Sequence, residues 1–366
     1  MNINDYFDPL DIKVNKKKGN ISYFFDFYNE DFSFDAKKYQ LVLFSINVNN
    51  NDDLFENIRN NFYFLSDNVV NPFKAIDLGN LKKGNTFSDT LFATRDVCEY
   101  FLSNKIIPII ISDNWYISYG LYLAFESLNK TVSFSIVDYT VKLQKKDQNF
   151  LNQILSRENN TLFNNTFIGI QNFYTKQKDI KSALSNGFEL VRLGDIQANI
   201  RKVEPYIRDS DVLLINTKSL INAFLDEYNT FSPSGLLHKE ACQITRYAGI
   251  SEKMSTFVLY VDKLIQIPAM SYAQILWYFI EGYTSRKGDF PVLPFSKLIK
   301  YHVEVSKNTF ITFYKSPLTE RLWIEVPIPQ ANYEKSWLLS CDEQDYQHAC
   351  KGIIPDRWHK YLKKLF

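Results

Sequence analysis

Three polar residues alternate where an apolar run ends. "VSFSIV" at 132–137 leads into Asp138, Thr140 and Lys142, at the two-residue spacing of one strand face. A carboxylate in that position is placed for acid–base work or for a metal, because the ligands of open α/β sheets gather beyond the carboxyl ends of the strands. Its neighbours do not extend that chemistry. A hard divalent cation calls for more carboxylates or imidazoles, not a hydroxyl and an ammonium. Two other stretches have the same look, an apolar run followed by polar residues. They are "PIIISDNWYISYG" at 108–120 and "DVLLINTKSL" at 211–220, and no Asp or Glu lies between Val212 and Ala223.

The remaining reactive side chains form no recognisable constellation. The histidines are His238, His302, His348 and His359, and the cysteines are Cys98, Cys242, Cys341 and Cys350. Cys341, His348 and Cys350 are spaced too loosely for a structural zinc site, and no CxxC pair occurs. There is no GxSxG, no GxGxxG and no GxxxxGK[ST], so a serine nucleophile and a nucleotide-binding loop are both unsupported.

The elements that must position these residues read as strands alternating with helices. Short apolar runs at 39–48 ("YQLVLFSINV"), 105–112 ("KIIPIIIS"), 132–137, 166–171 ("TFIGIQ"), 188–194 ("FELVRLG") and 211–216 are those of strands covered on both faces. Helix-compatible segments lie between them, so the expected fold is α/β, a parallel sheet sandwiched in three layers. The boundaries expected are an irregular N-terminal arm at 1–38, one α/β domain at 39–300, and a C-terminal extension at 301–366 packed on the same domain. In that extension, "NTFITFYKSPLTERLWIEVPIP" reads as an extended pair around a Ser-Pro turn, followed by a basic helix. Trp358, Tyr361, Leu362 and Leu365 of that helix share one face, free either to pack on the parent domain or, together with Phe366, to dock on a partner.

Composition narrows the function further. Lys plus Arg (42) balances Asp plus Glu (41), leaving no field that would draw nucleic acid or an anionic membrane. No apolar run approaches the roughly 20 residues of a membrane span. The opening "MNINDYFDPLDIKVNKKKGN" has charges where a secretory core would be, so a reducing cytoplasmic compartment is expected. The aromatic fraction of 16% leaves room for an interface rich in aromatic anchors.

At the three strand ends the chain resembles the ureohydrolase family of arginases, agmatinases and formimidoylglutamases. Family motifs reading roughly PIVIGGDHSISYG, VSIVNIDAHFDL and LSFDVDGL match here without gaps and in the same order. "FSPSGLLHKEACQITRYAGIS" at 231–251 is similar to the family segment whose helix bears a substrate-binding glutamate, here Glu240. "AIDLGN", "FSDT", "FIGIQNFYT" and "FELVRLGDI" resemble the formimidoylglutamase branch. The resemblance implies an arginase-like fold and a pair of manganese ions hydrolysing guanidino or formimino groups.

Residue by residue, it also implies that the metal set is degenerate. The family's first histidine falls on Trp115 and the aspartate before it on Asn114. D-x-H-x-D becomes Asp138, Thr140 and Lys142, and D-x-D becomes Asn216 and Lys218. Of six expected ligands only Asp138 remains, and two lysines oppose a divalent cation. The expectation is therefore a non-catalytic arginase-fold protein without a cofactor, acting as a scaffold or regulator through an unidentified protein partner, with homo-oligomerisation possible. Trp115 would fill the space of ion, waters and imidazole, and Lys142 and Lys218 would pair with Asp138 in place of the metal. The alternatives are a manganese-dependent hydrolase of formimidoylglutamate or a guanidino compound, and a metal-free sensor binding a small molecule through Glu240 and Asp138.

Overall fold

The computed structural model describes residues 1–10, 14, 16–29, 31–143, 149–221, 234–262, 267–328 and 335–365. Ten strands form the main sheet: β1 (Phe7–Asp8), β2 (Phe25–Phe27), β3 (Leu41–Ile46), β4 (Ala75–Leu81), β5 (Ile107–Ser112), β6 (Val132–Val137), β7 (Leu162–Ile170), β8 (Glu189–Arg192), β9 (Val212–Asn216) and β10 (Thr256–Tyr260). Their order is β1-β4-β3-β5-β10-β9-β6-β7-β8, with β2 also on β4. Every pairing is parallel except β1 with β4.

Alternation along the strands separates two cores. Val42, Phe44, Ile110, Phe134 and Val258 face the side covered by α2 (Phe87–Ser103), α3 (Ser118–Ser127), α4 (Phe150–Leu155) and α5 (Gln177–Ser185). Leu41, Leu43, Ile109, Leu213 and Phe257 face the other side. There α1 (Asp52–Phe64), α6 (Leu193–Ala198), α7 (Glu204–Arg208), α8 (His238–Ile250) and α9 (Ala269–Thr284) cover them. This is the expected three-layer α/β/α arrangement. The strands read from sequence are present as β3, β5, β6, β7, β8 and β9.

Three parts of the reading are corrected. The N-terminal arm is not wholly irregular. It supplies β1 and β2, which share one edge of β4 (Phe7 opposite Leu81, Phe25 opposite Ala75) and bury Phe7 and Phe25. "AIDLGNL", absent from the apolar runs expected to be strands, is β4. The C-terminal extension holds more than one pair of strands: β11 (Ile299–Ser306), β12 (Thr309–Lys315), β13 (Leu322–Ile328) and β14 (Lys335–Cys341) form an antiparallel meander, followed by α10 (Glu343–Cys350) and α11 (Asp356–Leu365).

This second sheet has its own core of Val303, Ile311, Phe313, Ile324, Leu339 and Tyr361. It is tied to the main sheet through Arg357, which donates to Glu189 Oε1 (2.8 Å), Asp209 Oδ2 (2.9 Å) and the Ser340 carbonyl (2.6 Å). Trp358, Tyr361 and Leu362 pack on the second sheet, with Trp358 Nε1 donating to the Glu325 carbonyl at 2.8 Å. Those three side chains are thus spent within the chain, and the Leu365 side chain and Phe366 lie outside what the structure describes. No helix among the described residues is long and apolar enough to cross a membrane.

Candidate functional site

The carboxyl ends of β5, β6 and β9 converge on a recess of about 260 Å³ whose walls include Trp115, Asp138, Thr140, Lys142, Asn216 and Lys218. All six positions singled out by the motifs therefore meet in one place. Each is set by a short local device. Asn114 accepts from Tyr116 N (2.9 Å) and starts the turn that carries Trp115 into α3. Asn216 closes β9 the same way, its Oδ1 accepting from Lys218 N at 3.1 Å. Gly235 lets the segment before α8 lie on the chain leaving β9, since a Cβ there would come within 2.6 Å of Ile221 N.

Asp138 sits half-buried at the floor. Its Oδ2 accepts from Asn216 Nδ2 at 3.1 Å and its Oδ1 from Tyr139 N at 2.7 Å. Burial pushes its carboxyl up to about 6, against the opposing pull of the Asn216 amide, the Tyr139 N–H and the Lys142 charge. The Tyr139 phenol is raised too, first by burial and then by Asp138. Trp115 forms an aromatic wall, its ring 4.4 Å from Tyr260 and 5.9 Å from Phe150. Tyr260 is held in turn by a hydrogen bond with Ser118 Oγ.

The lysines do not behave as expected. Lys218 reaches away from Asp138 and pairs with Asp262, just beyond β10, at 2.7 Å. Lys142 is exposed and forms no ion pair with Asp138 among the described residues, although its charge is felt there. The reason is reach. Asn216 already occupies the free lobe of Asp138, and Asp262 offers Lys218 a carboxylate at the solvent edge. Asp262 stands outside the three strand ends that the motifs single out. The signal was present nonetheless, since "TFVLYVD" ends in an aspartate just as "VSFSIVD" does.

Glu240 does not line the recess. Its Oε2 accepts from Leu237 N at 2.9 Å, so the carboxylate serves the amino end of α8, where the helix dipole favours it. Residues 231–233 of the segment before α8 lie outside the described residues. His238 faces Gln274 Oε1 (2.7 Å) and Cys242 Sγ (3.4 Å). Asp113, beside the Asn114 position, turns to the loop after β3, accepting from Val48 N (2.8 Å) and Asn49 N (2.9 Å).

The donor set of the recess does not fit a manganese pair. Thr140 donates its hydroxyl to the Tyr174 carbonyl (2.9 Å), and the Asn216 oxygen is committed to Lys218 N. One carboxylate remains, with a tryptophan and two lysines beside it. Among the described residues no group of three or more His, Cys, Asp or Glu side chains is gathered to hold a metal, and the Cys341–His348–Cys350 trio is no exception.

No protein-family model and no curated protein matches the chain. Solved structures do. A manganese-bound formiminoglutamase from Trypanosoma cruzi is 13% identical with a TM-score of 0.61, over 70% of this chain and 97% of that one. The formimidoylglutamase of Bacillus subtilis is 15% identical with a TM-score of 0.59, over 71% and 95%. The agmatine ureohydrolase of Thermoplasma volcanium is 16% identical with a TM-score of 0.54, over 68% and 91%. The chain thus has the arginase-like, ureohydrolase fold. Those structures are covered almost whole, whereas a substantial part of this chain lies outside the shared fold.

Proposed function

We propose that this is a non-catalytic arginase-fold protein, a scaffold or regulator that acts in the cytoplasm through protein contacts and holds no manganese. One observation carries the reading. The recess where the six metal-ligand positions converge retains a single carboxylate, Asp138, already hydrogen-bonded by Asn216 and Tyr139. A manganese pair concentrates about four positive charges, which need several hard anionic ligands. Here two lysines stand instead. The partner is a protein or a second copy of this chain.

A second reading is a manganese-dependent hydrolase of formimidoylglutamate or a guanidino compound. What favours it is the fold shared with a manganese-bound formiminoglutamase. Incubation with excess Mn²⁺, desalting and elemental analysis separates the two. The first reading expects near-zero manganese and no formamide or urea release. Retained manganese together with turnover would establish the second.

A further inference from the structure

A second cavity, of about 670 Å³, opens at the opposite end of the sheet. It lies where β5, β10, β9 and β6, four neighbours in the sheet, begin. With strands of five or six residues, it is separated from the recess at their carboxyl ends by roughly 15–20 Å. Leu102, Ile107, Phe125 and Met254 give it an apolar lining.

The charges around it are unbalanced. Lys105, Lys130, Lys253 and Arg286 face Asp211 and Glu252, so four cations against two carboxylates leave an excess of two. Both carboxylates are also committed. Asp211 accepts from Ser133 N (2.8 Å) and pairs with Lys253 (3.5 Å). Glu252 accepts from the backbone N–H groups of Gly288, Asp289 (3.2 Å) and Phe290 (3.2 Å).

Among the described residues Arg286 donates only to carbonyls, those of Gly249 (2.8 Å) and Met254 (3.0 Å), with its guanidinium over the Tyr283 ring. Burial lowers its pKa to about 10, against the opposing pull of the Tyr283 phenol and the Glu252 carboxylate, with neither of which it forms an ion pair among the described residues. Among the described residues, the Lys105 and Lys130 ammonium groups have no hydrogen bond or ion pair.

A simpler role for these lysines would be to offset the carboxyl ends of α2 and α3, which both finish here. Those ends are already closed by the backbone: Ile106 N donates to the Phe101 carbonyl (2.9 Å) and Lys130 N to the Phe125 carbonyl (3.0 Å). Neither ammonium takes part.

We infer that this cavity binds a small organic phosphate, its dianion held by Lys105, Lys130 and Arg286 and its apolar body laid on the Leu102–Phe125 wall. The dianion matches the excess of two charges, and the apolar lining distinguishes an organic ester from the free ion. Phenyl phosphate, titrated calorimetrically at fixed ionic strength, is the probe. Saturable binding is expected. It should weaken about tenfold or more in the Lys105→Ala/Lys130→Ala double variant, stay unchanged in Lys142→Ala at the other end of the sheet, and exceed that of inorganic phosphate. Both lysines are exposed, so circular dichroism is expected to show the double variant folded. The inference fails if no saturable heat appears, if the double variant binds equally well, if inorganic phosphate binds as tightly, or if Lys142→Ala abolishes binding.

Discussion

Asn216 Nδ2 donates to Asp138 Oδ2 at 3.1 Å, joining the ends of two adjacent strands through a neutral amide. In the resemblance to ureohydrolases both positions belong to metal ligands. Here one has become the hydrogen-bond partner of the other. An amide stabilises a carboxylate by a single dipole and leaves most of its desolvation cost standing, so Asp138 keeps a raised pKa.

That shift makes stability fall as pH rises. Between the ordinary carboxylate range near 4 and the folded value of about 6, the native state binds more protons than the unfolded chain. Its advantage is therefore full below about 4, declines up to about 6, and is absent above. Asp138→Asn removes the titrating group. At pH 7.5 the variant should be more stable than the parent by on the order of 1–2 kcal/mol, and at pH 4 no more stable. Urea denaturation at both values checks this; equal stabilities at pH 7.5 would mean that the carboxylate is not strained by burial.

The two lysines should respond differently. Lys218 and Asp262 form a partly exposed pair, so Lys218→Met is expected to cost no more than about 1 kcal/mol. A double-mutant cycle with Asp262→Asn should return a coupling of that size. Lys142→Met should leave stability within about 0.5 kcal/mol, since its ammonium is exposed and unpaired among the described residues. A larger loss at Lys142 would restore the ion pair with Asp138 that the side-chain positions argue against.

How much was readable in advance follows from burial. β3, β5, β6 and β9 are covered on both faces and are nearly uninterrupted in Ile, Leu, Val and Phe, so each shows as an apolar run. β4 hides because Asp77 and Gly79 interrupt it. Asp77 is tolerated in the core only because Arg59 (2.8 Å) and Tyr63 (2.6 Å), both on α1, reach its carboxylate, a partnership that no local pattern announces. β11 hides differently. Its exposed Lys300, His302 and Glu304 alternate with Val303 and Val305 and do not look like core.

At the site, strand ends are local properties of the sequence, whereas the six positions come from the resemblance to ureohydrolase motifs; the structure gathers their side chains around one recess. Where a side chain points is tertiary. Lys218 pairs with Asp262 from another strand end, which its own segment does not announce, whereas Glu240 accepts from Leu237 N as a carboxylate in the first turn of a helix ordinarily can.

The second sheet should depend on Arg357. Its guanidinium is buried against Glu189 and Asp209 and lies over the Tyr206 ring. Arg357→Met leaves two carboxylates without their cation in a low-dielectric interface, a loss of about 3–5 kcal/mol. The expected signature is a lower denaturation midpoint, with early proteolysis between β11 and α11. A variant as stable as the parent would mean that apolar packing alone docks the sheet.

Restoring the missing ligands tests the reading of the recess most directly. Trp115→His, Thr140→His, Lys142→Asp, Asn216→Asp and Lys218→Asp, with Asp138 kept, would place four carboxylates and two imidazoles in a space of about 260 Å³. Without metal they repel one another, and exchanging indole for imidazole leaves room beside Tyr260 and Phe150. The metal-free variant should therefore be less stable than the parent. Manganese should then recover stability by mass action, about 2.7 kcal/mol at a hundredfold excess over its dissociation constant. The parent, with one carboxylate and two lysines, should show no such rise. Thermal denaturation of both proteins with and without Mn²⁺ reads the difference. A parent stabilised by manganese as strongly as the variant would mean that the recess already holds a metal, and the non-catalytic reading would fall with it.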